Sequence, residues 1–509
     1  GSPAKGLGQV TVGAVALASQ LVERVCALLG SPRGRVRPRR EQPPLPGAPA
    51  TSRLELDMYS LSGEHVGRVS VGAAAPGREL VERVRALLGS PRGIVKLLHG
   101  TRTLAESAPV AEQVLPGAGI QCLVVPVGEE QQQQVAQSVL RGEALGEDGW
   151  QVWDCVERLD DVEDLGSVTL PSALQHIGFC NSFDQSLAGV ALPAGLQSIT
   201  FGIHFNQSLA GVLLPAGLRS IAFGEGFNRS LHGVVLPDGL QSITFGHYFD
   251  QSLADVVLPG GLQSIAFGHY FDQSLAGVVL PVGLLSIAFG DCFDQSLAGV
   301  AFPGGLQSIV FGEDFNQSLA GVALPGALQS ITFGPCFNKS LAGVALPAGL
   351  QSIAFGGSFD QSLADVAFPG GLQSIDFGRN FNQSLAEVAL PSGLQFITFG
   401  ERFDQSLAGV VFPSGLQSIA FGRNFDQSLA EVTLPSGLQR IAFGRNFNQS
   451  LAEADLPSGL QGIKFGRHFR RSLAGVDFPG GLRSIRLARC YRPDLGSVRL
   501  PPGVEVVRY

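Results

Sequence analysis

Proline recurs every 22 residues from Pro171 to Pro501, without insertion or deletion. A strict period of this length restricts the chain to one structural unit stacked on copies of itself. A typical unit reads LPGGLQSIAFGHYFDQSLAGVV, from Leu258 to Val279. All 33 phenylalanines lie within the array, and two columns, Phe179 to Phe465 and Phe183 to Phe469, hold 28 of them. Apolar residues recurring in register make one continuous core. The 45 % hydrophobic and 15 % charged content therefore describes a solenoid rather than several separate globules.

Each unit carries the pattern L-x-x-I-x-F, as in Leu262, Ile265 and Phe267. This fits a short strand with alternate residues inward, entered by a tight P-x-G turn. Gly268 is expected to let the chain bend, after which Phe271 and Leu275 return to the core. Parallel stacking at about 4.8 Å per coil would give a rod or shallow arc on the order of 70 Å long. An Asn/Asp column follows the second Phe, from Asp184 and Asn206 to Asn448, and fails at Arg470. The two residues share an acceptor oxygen on a short side chain, so the expected role is to accept backbone N–H bonds. A calcium ladder is the rival, weakened by neutral Asn at half of the positions.

The motif L-x-x-I-x-F-G-x-x-F-[ND]-Q-S-L resembles the FNIP repeats, a leucine-rich-repeat relative, over about 171–480. Ser stands where the family has Pro after Gln. The resemblance implies a protein-interaction scaffold and no catalytic residues. Further upstream, Leu54, Leu56 and Met58 alternate as a strand, Ser62-Gly63 marks a turn, and a second strand covers Val66 to Val71. Arg78 to Leu88 has a helical apolar stripe ended by Gly89, and short strands follow at Val95 to Leu98 and Gln121 to Val125. With LSG in the first turn and KLLHGTRTL after the helix, 54–127 resembles ubiquitin-like β-grasp domains. That family's exposed apolar patch would fall on Leu61, Leu98 and Leu123 or Val124; ordinary core or edge positions are the alternative. The last strand runs into PVGEEQQQQ with no terminal Gly-Gly, which implies recognition rather than conjugation.

The expected fold is thus mainly β: a leucine-rich-repeat-like solenoid of 22-residue coils behind a small α+β domain. Residues 1–53 form a basic Pro/Arg-rich segment in which LVERVCALLGSPRGRV nearly repeats LVERVRALLGSPRGIV of the next domain. The near-copy argues against a secretory signal at Val10 to Ala18. Residues 54–127 are the β-grasp domain, and 128–170 a Gln-rich linker with a short helix to Arg141. Both tryptophans, Trp150 and Trp153, fall in that linker and suggest an N-terminal cap for the array. Residues 171–486 are the solenoid and 487–509 its C-terminal cap. With Gly1 at its start and Met58 its single methionine, the chain is expected to be a piece of a longer product.

Function is expected where the units differ. The pair between Gly and the second Phe forms two adjacent stripes down one face. It runs from His247-Tyr248, His269-Tyr270, Asp291-Cys292 and Glu313-Asp314 to Arg379, Arg402, Arg423, Arg445, Arg467 and Arg489. The arginine stripe favours an acidic partner, unless Glu387, Glu431 and Glu453 neutralise it. His247, His269, Asp291 and Glu313 are a divalent-metal set by type, but one coil apart at most three converge. His269 beside Cys292 is a weak candidate for a nucleophile pair. The small outward strand residues, Ser264 and Ala266 and their equivalents, offer a flat docking face.

A net charge of −8 and the lack of aromatics among the arginines speak against nucleic acid. No apolar run reaches the ~20 residues of a membrane span. Seven cysteines without a CxxC pair suggest free thiols and a cytoplasmic location. These features read as a non-enzymatic, monomeric scaffold without cofactor. Its array would hold one partner, and its ubiquitin-like domain would recruit another, such as a ubiquitin-pathway factor. A structural rod at a surface or in the cytoskeleton is the alternative, with a metal-dependent enzyme third.

Overall fold

The computed structural model describes residues 53–509 apart from 63, 90–92, 100–101, 115–118, 144, 146–148 and 167. The expectations for the basic segment and its near-copy motif lie outside the described residues. The chain divides into two units, 1–155 and 156–509.

In the first unit, β1 (Arg53–Ser60) and β2 (His65–Gly72) form an antiparallel hairpin. Helix α1 (Gly77–Leu87) follows and ends at Gly89, whose φ of +72° suits a residue without Cβ. Strands β3 (Ile94–His99) and β4 (Arg102–Thr103), the short α2 (Val110–Gln113) and β5 (Gly119–Val125) complete a sheet of order β2-β1-β5-β3-β4. Leu54, Leu56 and Met58 on β1 share one buried core with Leu80, Val81 and Val84 on α1. The arrangement is compatible with the β-grasp expected from the sequence.

Two further helices, α3 (Glu129–Leu140) and α4 (Gly149–Asp154), belong to this unit. The amide of Gln151, wholly buried, accepts from the Val95 N–H at 2.7 Å and donates to Glu106 at 2.6 Å. Trp150 also donates to Glu106 and lies under the Arg78 guanidinium. Trp150 and Gln151 are therefore built into the sheet domain. The second unit begins at Val156, and Val156, Leu159 and Val162 are buried within it.

In the second unit, β6 (Arg158–Val162) and β7 (His176–Phe179) begin a parallel ladder. One strand per coil continues it, from β8 (Ser198–Thr200) through β21 (Ser484–Leu487) to β22 (Glu505–Arg508). Equivalent residues pair throughout, as in Ser264↔Ser286, Ile265↔Ile287 and Ala266↔Ala288. Leu262, Ile265, Phe267, Phe271 and Leu275 are buried, as the repeat pattern requires. Tyr491 ends the second aromatic column, stacked 5.7 Å from Phe469, and Leu487 ends the first.

Coils are wider apart with distance from the strands. Strands lie about 4.8 Å apart, whereas rings of the first Phe column are 5.3–5.9 Å apart and those of the second 6.0–6.1 Å. Backbone bonds between coils cluster at the strands and the turn after them. Across the L-A-G-V-x-L-P stretch the N–H groups bond mainly within their own coil, as Val278 to Leu275 and Ala276 to the Ser274 hydroxyl. The array therefore curves with its strands on the concave side, and the strand order returns from β22 to β6 as a ring. The expected rod or shallow arc is corrected accordingly. At this last junction Val506 is only half-buried, whereas the equivalent Ile485 is buried, so the closure is looser than the ladders.

Candidate interaction surface

The turn after each strand carries the variable pair on an unvarying backbone. The second residue of each pair donates its N–H to the carbonyl of the first residue one coil back: Tyr248 to Glu225 at 2.8 Å, Cys292 to His269 at 2.8 Å, Asn380 to Gly357 at 2.9 Å. The Asn/Asp column just beyond forms a second ladder. Asp272 Oδ1 accepts the Asp294 N–H at 2.9 Å and the Gln295 amide at 3.1 Å, and the pattern runs from Asp184 to Asn448. One side-chain oxygen of each residue thus accepts a backbone N–H, the role the sequence suggested. Arg470 offers no acceptor and instead turns back onto the Arg467 and Phe469 carbonyls.

On this rigid base stands a ridge. His247 and His269 stack at 4.5 Å, and Tyr248 and Tyr270 at 5.3 Å. The tyrosines are 51 % and 44 % exposed. His269 Nδ1 lies 2.8 Å from Asp291 Oδ2, and Glu313 and Asp314 are exposed beyond it. No group of three or more His, Cys, Asp or Glu side chains suited to a metal occurs among the described residues.

Among the described residues no hydrogen bond joins His269 to Cys292, the weak candidate for a nucleophile pair. His269 is directed to Asp291, and the Cys292 thiol is pushed up by burial and by the Asp314 and Asp291 carboxylates, which disfavours the thiolate. The Cys336 thiol is pushed up in the same way, by burial and by Asp314 and Glu313.

At the other end, Arg402, Arg423, Arg445, Arg467 and Arg489 are exposed. Arg379 pairs with Glu401 at 3.1 Å rather than with Glu387. No ion pair joins Arg423, Arg445 or Arg467 to Glu431 or Glu453 among the described residues.

The concave strand face carries Ser264, Ala266 and their equivalents, with Asp376 among them. The Asp376 carboxyl is raised above its ordinary range by desolvation, although water reaches it. Neighbouring coils crowd this face, which accounts for both properties.

In the first unit, β5 joins Leu61, Leu98 and Leu123. Ser60 pairs with Cys122, which sets Leu61 level with Leu123, and Lys96 pairs with Leu123 two residues before Leu98. Leu98 and Leu123 take the alternation away from the core and are half-buried, whereas Val124, on the opposite alternation, is 37 % exposed. A cavity of about 200 Å³ beside β3 is lined by Val81, Val95, Leu97, Leu104 and Glu106. The Glu106 carboxylate is already held by Trp150 and Gln151, so the cavity offers no free acid–base pair.

One feature escaped the sequence reading. Leu213, Val235, Val257 and Val279 occupy one column in consecutive coils and are 79–85 % exposed. The signal was present, since the column before Leu-Pro is Ala elsewhere in much of the array.

The fold is a leucine-rich-repeat-like solenoid, a class that typically serves as a protein-interaction scaffold and is typically non-catalytic. The crystal structure of CroV588, described as a novel circular LRR protein, is similar at 34 % identity and a TM-score of 0.64. The match covers 69 % of this chain and 51 % of that one, so this chain spans about half the length of that relative. Residues 205–446 match the model of the FNIP Repeat family.

More distant likenesses include an internalin from Listeria monocytogenes (12 % identity, TM-score 0.40, covering 64 % of this chain and 93 % of that one). The Toll–Spatzle complex of Drosophila is another (11 %, 0.44, 66 % and 51 %). Both lie too far to inform the surface. No curated protein matches. No helix among the described residues is long and apolar enough to cross a membrane.

Proposed function

We propose that this chain is a non-catalytic protein-interaction scaffold. The ridge of the array binds a protein partner, and the N-terminal sheet domain recruits a second factor through Leu61, Leu98 and Leu123. The observation that carries the reading is the contrast within each coil. Backbone and core repeat without change, while the exposed pair varies in charge and shape on a fixed ladder. Rigid presentation lowers the ordering cost of binding.

The arginine half, with Arg402, Arg423, Arg445, Arg467 and Arg489 exposed, suits an acidic partner. A ubiquitin-pathway factor is the proposed partner of the sheet domain, and a cytoplasmic location accompanies this reading. The test is capture of partners by the full chain at low and high salt, beside a variant carrying Arg423→Ser, Arg445→Ser and Arg467→Ser. A salt-sensitive partner lost from the variant is expected. A partner indifferent to salt and to these changes would move the site off the ridge, and no partner at all would favour a purely structural role.

A further inference from the structure

The ridge reverses its chemistry about a single coil. Gly357 and Ser358 form a pair of very small residues, with acidic and aromatic pairs before them and arginines after. Asp291 and Arg423 each lie 66 residues from Gly357, three 22-residue coils away on opposite sides. One coil further out, His269 is matched by Arg445 and Tyr270 by Asn446. His247 is then matched by Arg467, Tyr248 by His468, and Glu225 by Arg489.

We propose that two copies of the chain pair ridge to ridge across a two-fold axis at Gly357-Ser358. Each acidic–aromatic half then meets the arginine half of the other copy. The inference rests on the reading of the ridge as the interaction surface, and it names a partner for it.

A two-fold interface must be self-complementary. Turning one copy over about an axis at this coil reverses the coil order, so each coil before the axis meets the coil equally far beyond it. Opposite charges then meet at three coils in each half, against one like-charge meeting of Glu313 with Glu401. Asp314 faces Arg402, Asp291 faces Arg423, and Glu225 faces Arg489. Arg445 and Arg467 fall opposite His269 and His247, one column from Tyr270 and Tyr248, whose exposed rings are stacked on each other and suit guanidinium groups.

Pitch supports a second copy over an unrelated acidic protein. The ridge has a fixed rise per coil, locked by backbone bonds such as Tyr270 to His247 at 2.9 Å and Asn446 to Arg423 at 2.9 Å. A surface with the same rise keeps every pair in register along several coils. At the axis, where each side chain would meet its own copy, Gly and Ser leave room.

The experiment is sedimentation velocity on the full chain over a range of concentrations, at low and high salt. A dimer that dissociates with salt is expected. Two inverted variants are then made: an acidic ridge (Arg423→Glu, Arg445→Glu, Arg467→Glu) and a basic ridge (Glu225→Arg, Asp291→Arg, Asp314→Arg). Each alone should self-associate about a hundredfold more weakly or worse. Their mixture should form a heterodimer, a recovery that a misfolded variant cannot imitate. Ser358→Cys should cross-link two copies under mild oxidation.

A chain monomeric at every concentration overturns the proposal, as does a dimer that survives both inversions. If the monomer still captures a salt-sensitive partner through Arg423, Arg445 and Arg467, self-pairing fails while the scaffold reading stands.

Discussion

At Gly268 a Cβ would stand 1.7 Å from the carbonyl oxygen of Gly246, and the same conflict recurs along the column to Gly466. The residue is required by the close approach of two backbones and not, as its place in the sequence suggested, by a bend. Gly277 is required for another reason: its φ is +79°, and nothing lies near a Cβ there. Asp255 occupies the equivalent place one coil earlier at φ +63°, where Asp is among the better tolerated side chains. Gly268→Ala should therefore push neighbouring coils apart and cost about 1–3 kcal/mol or more. Gly277→Ala should cost about 1–2 kcal/mol through strain alone. Urea denaturation read beside hydrogen exchange at residues 242–270 checks the distinction. Enhanced exchange across the neighbouring coil is expected for the first variant and not for the second.

At the scale of the element, the coil is held by a hydrophobic column and by ladders of polar groups that close between neighbours. The Asn/Asp ladder explains why two residues of different charge alternate freely, since both supply one Oδ1 to the N–H a coil away. Asp272→Asn should leave stability within about 0.5 kcal/mol. Asp272→Ala strands the Asp294 N–H and the Gln295 amide and should cost about 1–3 kcal/mol. Equal midpoints for the two variants in chemical denaturation would contradict the ladder's role.

This level was largely legible in the sequence. Leu262, Ile265, Phe267 and Phe271 announced their burial by recurrence, and in-register pairing follows from identical neighbours. The boundary of the array was less so. Trp150 and Trp153 suggest a cap because bulky rings beside a repeat commonly are one. The burial of Gln151 in the sheet domain depends on partners, Val95 and Glu106, distant in sequence.

At the scale of the whole array, curvature was the least legible property. It arises from a small difference in coil spacing between strands and outer rings, summed over many coils. Sequence identity between coils says only that the difference is the same each time. The position of the ridge, by contrast, followed from the period itself, while the pairing of Arg379 with Glu401 and of His269 with Asp291 did not. Those contacts leave Arg423, Arg445 and Arg467 as the arginines best placed to meet a partner.

The most direct test is arginine footprinting of the full chain, bound to a captured partner, with a dicarbonyl reagent and mass spectrometry. Protection centred on Arg423, Arg445 and Arg467, relative to Arg158 and Arg219 on the same chain, is the predicted result. Unchanged reactivity along the ridge while the partner remains bound would contradict the assignment of function to it.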